Sequence, residues 1–375
     1  MDGLDFSKIP VQAPPEGVIS NFENPSSAAP LIAAFVYVTI PPMAFSLILR
    51  FYTRIAITRN LGIDDWLSAA AGALMIFYCG LMLSLLNNPI GLHMWDVPLS
   101  KLNPKYGFYT VLNTVVYFIL AMLIKASILL SYRRLFQIST VANAMIWFGL
   151  AANVFFYLIS VVVLLSYCVP RSDEWAVGGW YALKFAQRCY RHSSNIAAAS
   201  GVFGTFIDIF ILVVPLQPIT TLRASPAKKI GICAIFLAGS SACVFSIVGL
   251  VYRIRYYHDP NDDSYVMVPI LAMNIGEINL GIISASLPVT FIVFRNLATR
   301  FRAWRDSQKP MQPIDKAAAV EVDMYQYQQV EGVPNGSRTS DVEAETKQLN
   351  TAAVPQELEG RRSITLGTWP RSDSP

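Results

Sequence analysis

The stretch R-N-L-G-I-D-D-W-L, Arg59 to Leu67, runs directly into S-A-A-A-G-A-L-M-I-F-Y-C-G-L-M-L-S-L-L, Ser68 to Leu86. Two adjacent carboxylates, Asp64 and Asp65, thus stand at the edge of roughly twenty residues that carry no charge, the length a helix needs to cross a bilayer core. The pair admits two readings. It could ligate a metal for a phosphorylated substrate, or it could cap a helix start, where free N–H groups and the positive end of the dipole favour an acid. Arg50, Arg54 and Arg59 precede it across a loop of about sixteen residues and can clamp the second carboxylate. Diphosphate chemistry would want further acids at helical spacing, and 66–86 holds none, so the cap and clamp reading is preferred.

Working outward, similar apolar runs lie roughly at 30–49, 108–131, 144–167, 196–217, 230–252 and 266–292, which with 66–86 makes seven. Of the 375 residues 54% are hydrophobic and 14% charged, where a soluble domain carries charge at about a quarter of its positions. The expected fold is an all-α membrane protein, a seven-transmembrane-helix bundle. Net charge is only +4 and no basic stripe is interleaved with aromatics, so nucleic acid is excluded as a partner and the lipid bilayer is the first one. The start, M-D-G-L-D-F-S-K-I-P, has no basic n-region and no short apolar core, so no cleaved signal peptide is expected.

Lys and Arg in the loops set the orientation. With the N-terminus outside, the inner segments hold thirteen of them and the outer segments nine, the latter including Arg253 and Arg255. That bias predicts N-out and C-in. Residues 1–29 then form an extracellular segment, 30–295 the membrane domain and 296–375 a cytoplasmic tail. From about Asp306 the tail turns to E, D, Q, S, T, P and G, a composition that cannot bury enough apolar surface to order itself. Its R-R-S-I-T, Arg361 to Thr365, has the look of a kinase site. The protein is expected in the plasma membrane or an endomembrane.

Cys168 and Cys189 fall in the outer fourth loop, an oxidising setting in this topology, and are expected to pair. Cys79, Cys233 and Cys243 lie in spans as packing residues. His93, His192 and His258 all map to outer loops near Asp96, Asp259, Asp262 and Asp263, but without metal-ligand spacing, so no metal is assigned.

Charges inside spans are costly and mark function. Lys125, toward the inner end of the third span, can snorkel to the headgroups or turn inward to an acid. Asp208 shares a helical face with Gly201, Gly204, Thr205 and Pro215, at a depth compatible with Lys125. Glu277 belongs to a stripe, Asn274, Glu277, Gly281, Ser284 and Pro288, with Asn279 beside it; lacking a cationic partner it would hold a proton. The sixth span adds Gly239, Cys243, Ser246 and Gly249, a close-packing pattern.

Several segments resemble the fungal rhodopsin-domain family of seven-helix proteins. They are R-F-Y-T-R (50–54), L-G-I-D-D-W-L (61–67), G-L-H-M-W-D-V (91–97), I-K-A-S-I-L-L-S-Y-R-R-L-F (124–136), C-V-P-R-S-D-E-W (168–175), F-I-D-I-F-I-L-V-V-P (206–215) and G-E-I-N-L-G-I-I-S-A-S-L-P (276–288). The family groups Pth-eleven-type receptors with membrane proteins encoded beside secondary-metabolite genes, such as the satratoxin cluster. Pro89 replaces the first glycine of the family's G-x-G-x-H turn, which should stiffen it, and 1–29 is too short for the cysteine-rich domain of some receptor members. No lysine stands in 266–292 for a retinal Schiff base, and neither a D/E-R-Y closing the third span nor an N-P-x-x-Y in the seventh is present. No cofactor is implied.

Two functions compete. The resemblance implies a receptor-like sensing or accessory protein, associated with secondary metabolism, that takes a small amphipathic ligand or metabolite from the outer side. G-protein or kinase contact would fall at the basic inner loops, S-Y-R-R-L-F (131–136) among them, and at the tail. The alternative is an intramembrane cyclase or isomerase with Glu277 or Asp208 as general acid, although D-D-x-x-D, H-E-x-x-H and G-x-S-x-G are all missing.

Overall fold

The computed structural model describes residues 7–101, 106–135, 140–175, 180, 183–215, 226–258 and 262–307. Seven long helices dominate: α1 (Ala29–Tyr52), α2 (Ile63–Leu85), α3 (Tyr106–Leu135), α4 (Thr140–Cys168), α5 (Leu183–Val213), α6 (Pro226–His258) and α7 (Asp263–Ser307). Each contains a stretch long and apolar enough to cross a membrane, and the described residues include no β-strand. Short elements join them: a π-helical turn Thr53–Ile57 after α1, 3-10 turns Met94–Asp96 and Leu99–Lys101 before α3, and one helical turn Ser172–Trp175 before α5.

The apolar runs make helices because a bilayer leaves backbone N–H and C=O groups no partner but their own segment. Pro30 sits in the first turn of α1, where its missing N–H costs nothing. Which helices are central follows from burial. The apolar windows of α3 and α7 are each 67% buried, against 22–39% for the other five. Around them the outward faces carry large apolar side chains: Val38 and Phe45 on α1, Phe155 and Val162 on α4, Leu237 and Val244 on α6 are each more than half exposed. In water such belts would be aggregation sites; here they face hydrocarbon. The chain is an integral, multi-pass membrane protein.

Three elements run past the limits expected from hydropathy. α5 begins at Leu183, α6 continues to His258 and α7 to Ser307. Arg253 and Arg255 were expected in an outer loop; both lie in α6, and Arg253 is buried. Hydropathy marks where a helix leaves hydrocarbon, not where its hydrogen-bond ladder ends.

The N-terminal segment is strapped over the loop that follows α2. Val11 N–H donates to the Val97 carbonyl (3.0 Å), Leu99 N–H to that of Ile9 (2.8 Å), Asn21 N–H to Asp96 Oδ1 (2.8 Å) and Ala28 N–H to the Gly91 carbonyl (2.8 Å). Gly91 permits this approach. Its φ is +97°, and a Cβ there would sit 2.8 Å from the backbone nitrogen of Ala29. The chain divides between Arg305 and Asp306; the tail beyond Ser307, with Arg361 to Thr365, lies outside the described residues.

Candidate functional site

Three helices meet at Lys125. From the middle of α3 its side chain turns inward rather than to the headgroups, and only 2% of the residue is exposed. Its Nζ lies 2.9 Å from Asp208 Oδ1 of α5 and 3.2 Å from Glu277 Oε1 of α7, and donates to the Gly204 carbonyl at 3.0 Å. Glu277 thus has a cationic partner. One lysine ammonium serves both buried carboxylates, which would be costly to hold in an apolar interior without a cation. Gly204 keeps the approach open, since a Cβ there would come 3.6 Å from Nζ. Beside the trio is a cavity of ≈ 30 Å³, lined also by Gly239, Gly281 and Ser284, with room for a water or two.

The second carboxylate oxygen of Glu277 receives the Tyr117 hydroxyl at 3.4 Å. That phenol in turn accepts from Arg253 Nη2 of α6 at 2.8 Å, and the same nitrogen donates to Asn274 Oδ1 at 2.7 Å. Arg253 also stands 5.4 Å from the centre of the Tyr117 ring, within cation–π range. A neutral set of four charges, Lys125, Arg253, Asp208 and Glu277, therefore lies at the bundle's centre. Arg253 and Tyr117 escaped the sequence reading. A signal existed: Ser246 and Gly249 belong to the small-residue face of the sixth span, and seven residues on from Ser246 that face reaches Arg253. Asn279 takes a separate role, donating to Thr39 of α1 at 2.7 Å.

At the end of the bundle where α1 closes and α2 opens, Asp64 and Asp65 sit among three arginines. Arg50 is fully buried; its Nη2 reaches Asp64 at 2.7 Å and its Nε reaches Asp65 at 2.9 Å. Arg54 contacts the same two oxygens at 3.3 and 3.1 Å, and Arg134 of α3 contacts both residues at 3.1 and 3.0 Å. Asp65 also accepts the Gly62 N–H at 2.9 Å, capping α2. Arg50 donates further to Ser131 at 3.0 Å and to the Ala285 carbonyl of α7, and so ties α1 and α2 to both central helices. Among the described residues no three metal-ligating side chains converge. Arg54 follows Arg50 by four residues, about one helical turn, and so lies on the same face.

The opposite end is built differently. Cys168 and Cys189 form a disulfide, closing a 21-residue separation over the α4–α5 connection. Arg188 adds a clamp, 2.7 Å from Glu174 and bonded to the carbonyls of Tyr167 and Val169. His93 pairs with Asp262 between the rings of Trp95 and Tyr265, at 4.4 and 4.0 Å, which fastens the strapped loop to α7. His192 instead stacks on Tyr167 at 3.7 Å. The structure does not bring these two together, the side chains of His258 and Asp263 are not described, and Asp259 lies outside the described residues. Denaturing thiol counts should give three reactive cysteines of the five without reductant and five with it. Reduction should lower the unfolding temperature by several degrees, the scale of a loop constraint of about 3 kcal/mol; five thiols before reduction would refute the bridge.

Comparison with known proteins places these features. The model of the fungal rhodopsin domain matches residues 49–296. "Fugralins biosynthesis cluster protein 2" of Gibberella zeae is 25% identical over 285 residues, covering 74% of this chain and 69% of that protein. "SAT4 family membrane protein" of Emericella nidulans is 27% identical over 220 residues, 56% of this chain and 52% of its own length. "Receptor GIN3" of Arthrobotrys oligospora is 25% identical over 268 residues, 69% of this chain and 60% of that receptor. No solved structure matches.

Proposed function

The chain belongs to the fungal rhodopsin domain family, and on that premise we propose that it is a receptor-like sensing or accessory protein tied to secondary metabolism, in which a small amphipathic ligand shifts the helix bundle. The observation that carries this reading is that α3 and α7 take part in both polar clusters. Tyr117 and Lys125 of α3, with Asn274 and Glu277 of α7, meet the central charges. Ser131 and Arg134 of α3, with the Ala285 carbonyl of α7, meet the Arg50 and Asp64 cluster at the far end. A rigid helix that changes its partners at one cluster has to alter the geometry of the other, which is the physical form coupling takes in a packed bundle.

In this reading the N-terminal end faces outward and the Arg50 cluster faces the cytoplasm, where Arg133, Arg134 and the tail would meet a G protein or a kinase. Relatives named as a receptor and as a biosynthesis cluster protein support both halves of the proposal. The intramembrane enzyme is the weaker alternative: its candidate acids, Asp208 and Glu277, are both held by Lys125, and the adjoining cavity of ≈ 30 Å³ is too small for a cyclisation substrate.

The test is made in the fungus that carries the gene. Removal of the chain after Ser307 should abolish the transcriptional response while ligand binding by the purified protein survives. Glu277→Gln should alter cluster transcripts without a stalled intermediate. Accumulation of an uncyclised precursor with unchanged transcripts would establish the enzyme and end the sensing proposal.

A further inference from the structure

Arg253 lacks a direct counterion. It is 4% exposed, yet it forms no ion pair within 4.0 Å of any described carboxylate, because Lys125 already engages both Asp208 and Glu277. Its Nη2 carries the bonds to Tyr117 and Asn274. Space has been cleared for this guanidinium. A Cβ on Gly201 of α5 would stand 2.9 Å from Arg253 Cδ and 3.1 Å from Nη1.

Arg253 lines a cavity of ≈ 80 Å³, separate from the smaller one at Lys125 and nearer the strapped end of the bundle. Asn113 of α3 lines the same cavity; it is 6% exposed, and its Nδ2 has no hydrogen-bond partner among the described residues. A buried amide donor left without a partner is destabilising. Met82, Leu85, Phe118 and Leu271 supply apolar walls. The cavity sets the Arg253 guanidinium, which has no carboxylate within 4.0 Å, and the Asn113 amide between these apolar walls, with Thr110, Thr114 and Ser200 also on its lining.

We infer that this cavity binds the carboxylate of a small amphipathic acid, with Arg253 as its ion-pair partner, Asn113 as a further donor and the apolar walls around its short hydrocarbon body. The planar guanidinium offers parallel N–H groups that match a carboxylate. A single carboxylate gives Arg253 the direct partner it lacks and takes the neutral set only to −1, whereas a phosphate dianion would take it to −2. The volume corresponds to about two or three waters, a carboxylate and its first carbons. Engagement of Arg253 would loosen its hold on Tyr117 and let that hydroxyl close on Glu277, now 3.4 Å away. The inference rests on the sensing reading for its purpose but not for its test.

Titration calorimetry of the full chain in phosphatidylcholine nanodiscs, with propanoate and propanamide as probes and empty nanodiscs as reference, decides it. Propanoate should bind saturably and at least about 10-fold more tightly than the amide, as a charge-assisted pair requires. Asn113→Leu, which removes an unpaired donor and leaves the charged set intact, should retain the fold and weaken propanoate about 10-fold. Arg253→Lys should weaken it further; if that variant does not fold, Asn113→Leu still decides. Equal binding of acid and amide, no saturable binding, or unchanged affinity in Asn113→Leu would overturn the site. Binding that survives in a chain whose fungal response is absent would count against sensing and leave the site standing.

Discussion

Lys125→Met should unfold at a much lower temperature than the parent, with a loss of about 3–5 kcal/mol, the cost of stripping a partner from buried charges. The size follows from how few alternatives the two acids have. Asp208 Oδ2 has no hydrogen-bond partner among the described residues, and Glu277 keeps only the 3.4 Å contact with Tyr117. Both carboxylates would be left in a packed interior without the cation that faces them. Cys79 and Cys243 are buried, so a thiol-reactive fluorophore reports the unfolding directly on the full chain in nanodiscs. The triple variant Lys125→Met, Asp208→Asn and Glu277→Gln should recover most of the loss, because the charges leave together. A single variant as stable as the parent, or a triple as unstable as the single, would show that the three side chains do not act as one set.

Residues 66–86 and the six runs like them could be read from the sequence because hydrocarbon allows only one economical backbone, and its length is set by the bilayer. The disulfide was legible too, as the two cysteines outside the spans. Lys125, Asp208 and Glu277 stood out for the same reason the runs did: a charge amid apolar residues is conspicuous. Which charge each would meet was less so. Residue counts gave Lys125 and Asp208 similar depths, but nothing in the sequence placed Glu277 on the same ammonium group, since α7 has two internal prolines and its azimuth depends on packing. Arg253 was hidden by position. At the edge of a span an arginine looks like a loop residue, and only the tertiary fold shows its side chain buried against Tyr117 and Asn274 rather than out in water. The strap of 7–28 was hidden because its bonds are mainly backbone to backbone, which leave no mark on residue type.

At the other cluster the expected order of effects runs against intuition. Asp64 and Asp65 face three arginines, so the group carries a net +1, and its members differ in access to water: the side chains of Arg50 and Asp65 are 0% exposed and that of Arg134 is 24% exposed. Asp65→Asn retains an oxygen to accept the Gly62 N–H, so the cap survives, while its amide N–H faces the Arg50 and Arg54 Nε donors and the change removes the charge together with those two bonds. It leaves three guanidiniums around one carboxylate, a net +2 in a mostly buried place, and should cost about 3–5 kcal/mol. Arg50→Met brings the group to neutrality and leaves both acids paired by Arg54 and Arg134; its cost should be smaller, about 1–3 kcal/mol, chiefly the lost bond to the Ala285 carbonyl, since Ser131 still donates to Asp64 at 3.2 Å. Arg134→Met, partly screened by solvent, should cost at most about 1 kcal/mol. The decisive variant is the double Asp65→Asn and Arg134→Met. It restores the parent's net +1 and should be more stable than Asp65→Asn alone, a gain only charge balance explains, because by contact loss the second change could only do harm. If the double is the less stable of the two in thiol-monitored unfolding, the cluster is held by its individual hydrogen bonds and not by its charge count.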